Sequence, residues 1–377
     1  MPASLQFPSW IHPEIIPGLP LRWYGLMYAV AFAIAWLLFR YESKRRRSPW
    51  SLEDAEAFFF WAIIGLIIGA RIFGTLVYDP WGYYHSKPWL IFWPFDENWH
   101  WTGFQGMSYH GGVVGVIVAT LIYCRVKKFH WLDWADVLAL CIPLGYTFGR
   151  LGNFINGELW GKVTSSPIGM IFPNVPDAGR FKADAQWVQD AATKAGLRLS
   201  SMNDLVNLPR HPSQLYEAFF EGIVLWLFLW LFVRKRESFR GFATGAYIIG
   251  YGTIRFVIEY FREPDEGMGY ILGDKSAPTY VVTSLFNISM GQILSFLMIV
   301  GGGLIILFCS MASKSPVAVP AAKAERPETT STTVKSPNVK HRSAKPASTQ
   351  IQSEAQRLAE QRRIAAAQAR KRRKKIK

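Results

Sequence analysis

The sequence predicts an all-α polytopic membrane protein: seven transmembrane helices, a small extracytoplasmic head and a basic cytoplasmic tail. Three observations predict it. Half of the 377 residues are hydrophobic, and they gather in long, nearly charge-free runs instead of short periodic ones; about 20 such residues cross a bilayer as a helix. Lys and Arg concentrate in alternate connections between those runs. Composition also changes at Met311, from which point the chain carries 17 Lys and Arg against four Glu, +13 of the net +15, leaving +2 for the rest. The basic balance belongs to the tail and says little about what the membrane body binds.

In chain order, residues 1–20 are proline-rich and lack Lys and Arg. With no basic n-region and no cleavage site they read as an extracytoplasmic segment, not a signal peptide. The membrane domain, residues 21–310, holds the runs Leu21–Phe39, Phe58–Val77, Gly111–Cys124, Trp134–Phe148, Ala218–Val233, Phe242–Phe261 and Met290–Ser310. The third and fourth are short, and their helices are expected to extend into flanking residues. The connection after run one reads Arg40-Tyr41-Glu42-Ser43-Lys44-Arg45-Arg46-Arg47. After run three come Arg125, Lys127 and Lys128, and after run five Arg234, Lys235, Arg236 and Arg240. Short basic loops stay in the cytoplasm, so the N-terminus is expected outside and the C-terminus inside. Of the opposite connections, Tyr78–Tyr109 is rich in Trp, Tyr and Pro, as expected for an interfacial aromatic belt. Residues 151–216 form the head insertion, with helical periodicity over Ala183–Leu205. The tail, 311–377, is disordered by composition at first, then helix-compatible from Ile351. Its basic end suits anionic lipid on the cytoplasmic leaflet; nucleic acid is not expected.

That orientation gathers the unusual polar groups toward one leaflet: Tyr24, Arg71, His110, Arg150, Asn153, Glu158, Glu217, Glu221, Tyr251, Arg255, Glu259 and Arg262. Charges inside a bilayer are costly and face the bundle interior or a water-filled cavity. In run six, Tyr247, Tyr251, Arg255 and Glu259 recur every four residues and share a face. Either Arg255 and Glu259 only neutralise each other, or Arg255 faces an anionic ligand and Glu259 holds it; the planar guanidinium fork suits phosphate. Arg150 either snorkels to the headgroups or belongs to a site, and the glycines at 149, 152 and 157 favour tight turns or close ligand approach. His110 before Gly111 and Gly112 puts an imidazole beside free helix-start N–H groups, which suits anion binding or general-base work; an interfacial histidine on a tightly packed helix is the plainer alternative. Tyr24 alone would pass as an aromatic anchor. Cys124, Cys141 and Cys309 lack metal-ligand spacing and read as buried apolar residues.

These residues resemble the prolipoprotein diacylglyceryl transferases of the bacterial cytoplasmic membrane. The stretch Gly149–Gly161 (GRLGNFINGELWG) is similar to that family's signature. Further matches are Trp23–Tyr28 (WYGLMY), Tyr109–Gly112 (YHGG), Arg210–Glu217 (RHPSQLYE), Gly250-Tyr251-Gly252 with Arg255, Glu259 and Arg262, and Ser289–Ser295 (SMGQILS). Together they run from about Ser9 to Cys309 in order. The Trp-rich segment Tyr83–Trp101 and the tail depart from the family pattern.

The resemblance implies transfer of a diacylglyceryl group from phosphatidylglycerol to the lipobox cysteine of a prolipoprotein signal peptide, giving a thioether and releasing glycerol phosphate. It implies catalytic roles for Tyr24, His110, Arg150, Asn153, Glu158, Arg255 and Glu259. At the phospholipid it implies Arg150, Gly111, Gly112, Tyr251 and Arg262. No cofactor or metal is expected. His110 is the expected aid to thiol deprotonation, against an arginine-polarised arrangement with no dedicated base. A transporter or scramblase would also keep intramembrane charges, but nearer the midplane and with an inverted repeat. A scaffold would not need polar motifs aimed at one cavity.

Overall fold

The computed structural model describes residues 4–313 except 17, 19–20, 78–81, 94, 96–98, 101–105, 174, 200, 202 and 265–268. The tail reading from Lys314 onward, and parts of the N-terminal and Trp-rich segments, lie outside the described residues. Among the described residues the chain is mostly helical, and its strands form three two-stranded pairs with no closed sheet. Five helices are long and apolar enough to cross a membrane: α1 (Trp23–Arg46), α2 (Leu52–Leu76), α3 (Tyr109–Lys127), α6 (Ser213–Val233) and α8 (Met290–Ser313). Two more accompany them. One is α4 (Trp131–Asn156), longer but interrupted by charge; the other is α7 (Phe242–Ile258), apolar but shorter.

Each of the seven apolar runs coincides with one of these helices. The third and fourth grow at both ends, as expected. α3 gains Tyr109, His110 and the basic Arg125 and Lys127, and the last two suit the negative end of the helix dipole. α4 carries Pro143 in its interior and still continues to Asn156.

Local chemistry sets the boundaries. Ser51 and Asp54 form a reciprocal capping box that opens α2. Ser108 accepts from the Gly111 N–H at 3.3 Å and opens α3. Asp136 of α4 caps α7 from outside, accepting from the Gly241 and Thr244 N–H groups at 2.7 and 2.8 Å. α6 is wound as a π-helix over Glu217–Val224 and again over Leu229–Val233.

α4 lies centrally, packed along α1 on one side and α6 and α7 on another, while α2 pairs with α3 and α7 with α8. At the basic-loop end, Phe39, Trp50, Phe58 and Trp134 form a buried aromatic cluster. There too, the fully buried Glu42 of α1 accepts from Arg234, just beyond α6, at 2.8 Å, and pairs with Arg45 and Arg46. Leu140, Leu225, Leu229, Val233 and Ala243 fill the α4–α6–α7 seam. Large apolar side chains such as Phe60, Ile117, Phe232, Leu297 and Phe308 stay exposed, as an apolar solvent around the helices permits.

At the opposite end, residues 157–212 fold into small strand pairs, β2 (Met170–Ile171) on β1 (Leu5–Gln6) and β3 (Phe181–Lys182) on β4 (Leu205–Val206), with α5 (Gln186–Lys194). The helical periodicity over 183–205 overreaches. Only its first half is a helix, because Gly196 turns the chain at φ 73° and residues from Leu205 pair as strand. Arg210, 1% exposed, ties this region together. It donates to the Gly161 and Gly179 carbonyls at 3.3 and 2.7 Å, pairs with Glu263, and lies over the Trp160 and Phe181 rings.

Candidate active site

The signature stretch ends a helix. Gly157 adopts φ 66°, a left-handed conformation open to glycine at little cost. The chain therefore turns back on itself, and the Glu158 N–H reaches the Asn153 carbonyl at 3.1 Å. This turn delivers Glu158 to the two asparagines: its Oε1 accepts from Asn153 Nδ2 at 2.9 Å and from Asn156 Nδ2 at 3.3 Å. Asn153 in turn accepts from Arg150 Nη1 at 3.4 Å. Gln214 and Ser213, at the start of α6, donate to the carbonyls of Glu158 and Leu159 at 2.6 and 3.0 Å.

Arg150 is the junction to the rest. Its Nε lies 2.6 Å from Tyr146 Oη and 2.8 Å from Glu217 Oε2. The Tyr146 hydroxyl donates to Glu221 Oε2 at 2.5 Å, and the Arg150 guanidinium lies 4.8 Å from the Tyr146 ring centre. Glu217 Oε1 faces Arg255 Nη1 at 3.0 Å and Arg262 Nη1 at 3.5 Å. Arg255 Nη2 meets Glu259 Oε2 at 3.1 Å, and Glu259 Oε1 accepts from Ser289 Oγ at 3.1 Å. Ser289 and Gln292 bond each other's backbone N–H and so start α8 on Glu259. Three guanidinium groups and three carboxylates, from α4, α6, α7 and the turn beyond α7, thus share one network whose carboxylates are 5% exposed or less.

Tight packing makes this possible. A methyl group on Gly222 would overlap Thr147 Oγ1, so α6 approaches α4 closely at the level where Glu217 and Glu221 face Tyr146 and Arg150. Tyr251 adds an edge-on aromatic contact to Tyr146, with ring centres 5.9 Å apart.

Tyr24 stands beside this network. Its ring lies against Gly152, and its hydroxyl is 3.1 Å from that of Tyr28. It lines a cleft of about 950 Å³ with Ile15, Leu21, Arg22, Gly25, Leu26, Asn156 and Glu158. The lining is mostly apolar, with Arg22, Asn156 and Glu158 as its charged and amide groups.

The sequence-predicted residues therefore fall into groups. Arg150, Asn153, Glu158, Arg255, Glu259 and Arg262 are joined by direct contacts, and Tyr24 and Tyr251 flank them. His110 is exposed in the first turn of α3, a helix that packs along α2. Gly111 faces α2 as well: a methyl group there would overlap the Gly69 carbonyl. Close helix packing accounts for that glycine. Arg71 is used differently again. Buried in α2, it donates to the carbonyls of Ile91 and Leu90 at 2.5 and 3.2 Å and holds the Trp-rich segment against the helix.

Four contributors carried no predicted role. Glu217 and Glu221 are visible in the sequence as two carboxylates four apart in an apolar run, and that signal is enough to find them. Tyr146 is ordinary in the sequence, and Ser289 stands there only as part of the Ser289–Ser295 match; the role of each becomes visible through its contacts.

Outside the membrane helices, His211 lies just ahead of α6 with its Nδ1 3.1 Å from Tyr216 Oη. Burial, with the Lys162 ammonium nearby, pushes its imidazole down to about 4. Lys162, 3% exposed, donates to the Tyr270 hydroxyl at 3.1 Å, and burial lowers its own affinity for a proton.

Residues 12–308 match a family model described as prolipoprotein diacylglyceryl transferase. The chain is 54% identical over 314 residues to the phosphatidylglycerol–prolipoprotein diacylglyceryl transferase of Treponema denticola, covering 79% of this chain and 92% of that one. It is 50% identical to its counterpart of the same name in Treponema pallidum, covering 79% and 93%. The one from Chlorobaculum tepidum is 40% identical, covering 79% and 89%.

Proposed function

The chain belongs to the prolipoprotein diacylglyceryl transferase family, and on that premise we propose that the Arg150–Arg255 network is where the diacylglyceryl group changes hands. The enzyme is a membrane-embedded transferase. It moves the diacylglyceryl group from phosphatidylglycerol to a prolipoprotein, the first step of bacterial lipoprotein maturation. The acceptor is the thiol of the lipobox cysteine. Sulfur bonds to the terminal glyceryl carbon, that carbon's bond to the phosphate oxygen breaks, and the electron pair leaves with glycerol phosphate.

The observation that carries the reading is the convergence of Arg150, Arg255 and Arg262 in a nearly dry site. A phosphate leaving group gains negative charge as the bond breaks, and preorganised donors stabilise that charge most where water is excluded. Arg150 and Arg255 take the phosphate oxygens, and Glu259, anchored by Ser289, orients Arg255. Asn153 and Glu158 hold Arg150 from the other side. Tyr24 and the cleft beside it receive the glyceryl portion. His110 takes the thiol proton, since only the thiolate attacks carbon well.

In this reading the basic connections after α1, α3 and α6 face the cytoplasm, and the N-terminus and the site face the outer side. α4 and α7 then cross as well, giving seven spans; 26 residues of α-helix reach about 39 Å. Both substrates arrive from the bilayer.

The test is a mass shift. Purified protein is incubated with phosphatidylglycerol and a lipobox peptide carrying Cys or Ser at the acceptor position. A diacylglyceryl adduct on the Cys peptide alone, with glycerol phosphate released, is expected. No adduct from well-folded protein would overturn the reading.

A further inference from the structure

We propose that Glu217 is the positioning residue of this site: it fixes the spacing of the arginines and limits how tightly they hold the departing phosphate. The proposal rests on the reading above that Arg150 and Arg255 receive that phosphate. The Glu217 carboxylate is 1% exposed and touches three guanidinium groups, Arg150 at 2.8 Å, Arg255 at 3.0 Å and Arg262 at 3.5 Å. These cations sit on α4, on α7 and in the turn beyond it, and Glu217 sits on α6. Glu217 thus spans all three. Glu221 reaches Arg255 at 3.6 Å and takes the Tyr146 hydroxyl, and Glu259 reaches Arg255 at 3.1 Å.

Like charges gathered at one buried point repel strongly, so without a shared counter-charge the three arginines would turn apart. A carboxylate divided among three cations holds them together without saturating them. Each guanidinium has five N–H donors, and Glu217 occupies few of these, leaving the remainder for a second anion. The balance also bears on turnover. Arg150, Arg255 and Arg262 face Glu217, Glu221 and Glu259, so carboxylates already offset part of the arginine charge before substrate enters. The donor lipid brings a phosphodiester with one negative charge, whereas the product is a phosphomonoester able to carry two. Three arginines without the carboxylates would bind that product hardest of all and stall. Glu217 weakens this final state selectively, because its repulsion grows with the charge on the phosphate.

The test uses full-length wild type, Glu217→Gln and Glu217→Asp, with transfer rates measured on phosphatidylglycerol and lipobox peptide. Binding of free glycerol phosphate is measured calorimetrically. Gln keeps the shape and removes the charge. It is expected to lower kcat about a hundredfold while glycerol phosphate binds about tenfold more tightly. Asp restores the charge but falls one methylene short, so product affinity returns toward wild type while kcat stays low. A purely structural role would weaken rate and product binding together. That result, an unchanged product affinity, or a Gln variant within about twofold of wild-type kcat would each overturn the proposal. A wild-type protein that binds glycerol phosphate but transfers nothing would count against the reaction assigned above, while the binding comparison would still decide the role of Glu217.

Discussion

Arg255 is the residue on which most of the site turns, because it contacts Glu217, Glu221 and Glu259 at once. Replacing it with Ala should lower kcat by a factor on the order of 100–1,000, the usual consequence of losing a transition-state donor, with membrane insertion intact. Lys should recover little of the loss, since a point charge cannot reproduce the planar fork. Full activity in the purified Ala variant would reject the role. His211 supplies a prediction about pH. Its imidazole is held at about 4 in the folded protein, against an ordinary value of 6.5. The unfolded chain therefore takes up a proton first as pH falls. The stability this histidine contributes is complete above pH 6.5 and is lost on the way down to about pH 4. Thermal unfolding in detergent should show a gentler acid slope for His211→Asn than for wild type; identical slopes would refute the assignment. At this scale the intramembrane charges were legible because a bilayer tolerates few of them without a purpose. The roles of Tyr146 and Ser289 were not, since a phenol or hydroxyl in a membrane helix is unremarkable until its partner is known.

Among the elements, α4 and α6 set the geometry. Their close approach at Gly222 and Thr147 brings two carboxylates onto Tyr146 and Arg150. Gly222→Ala should therefore push α6 outward, costing about 1–3 kcal/mol by overpacking. The rate should fall further than the stability loss explains. A variant with wild-type unfolding temperature and rate would show that the contact is not tight. Helix positions were legible from apolar runs, whereas helix ends were not. Charged residues such as Asp133 and Arg125 continue a helix beyond its apolar stretch once caps and the helix dipole support them. The π-helical winding of α6 was not legible in the sequence, for nothing in EAFFEGIV or LWLFV separates it from an ordinary helix. Nor did the sequence show that Gly111 lies against α2, which only the pairing of α2 with α3 reveals.

For the whole molecule, the family match ends at residue 308, and the basic tail follows. Transfer activity should accordingly survive deletion of residues 315–377 once insertion is normal. Loss of transfer from a correctly inserted truncation would place the tail in the reaction. The polar network has a consequence for how the protein is made. Arg150 emerges from the ribosome well before Glu217, and Glu217 before Arg255 and Ser289. While α6 is still unsynthesised, α4 carries Arg150 with Tyr146 and Asn153 beside it but without its carboxylate partner Glu217. An arginine left without its counter-charge is costly in open lipid. The network that serves the chemistry is thus also a completeness check on synthesis: a chain that stops before α7 lacks Arg255 and the pairs it makes.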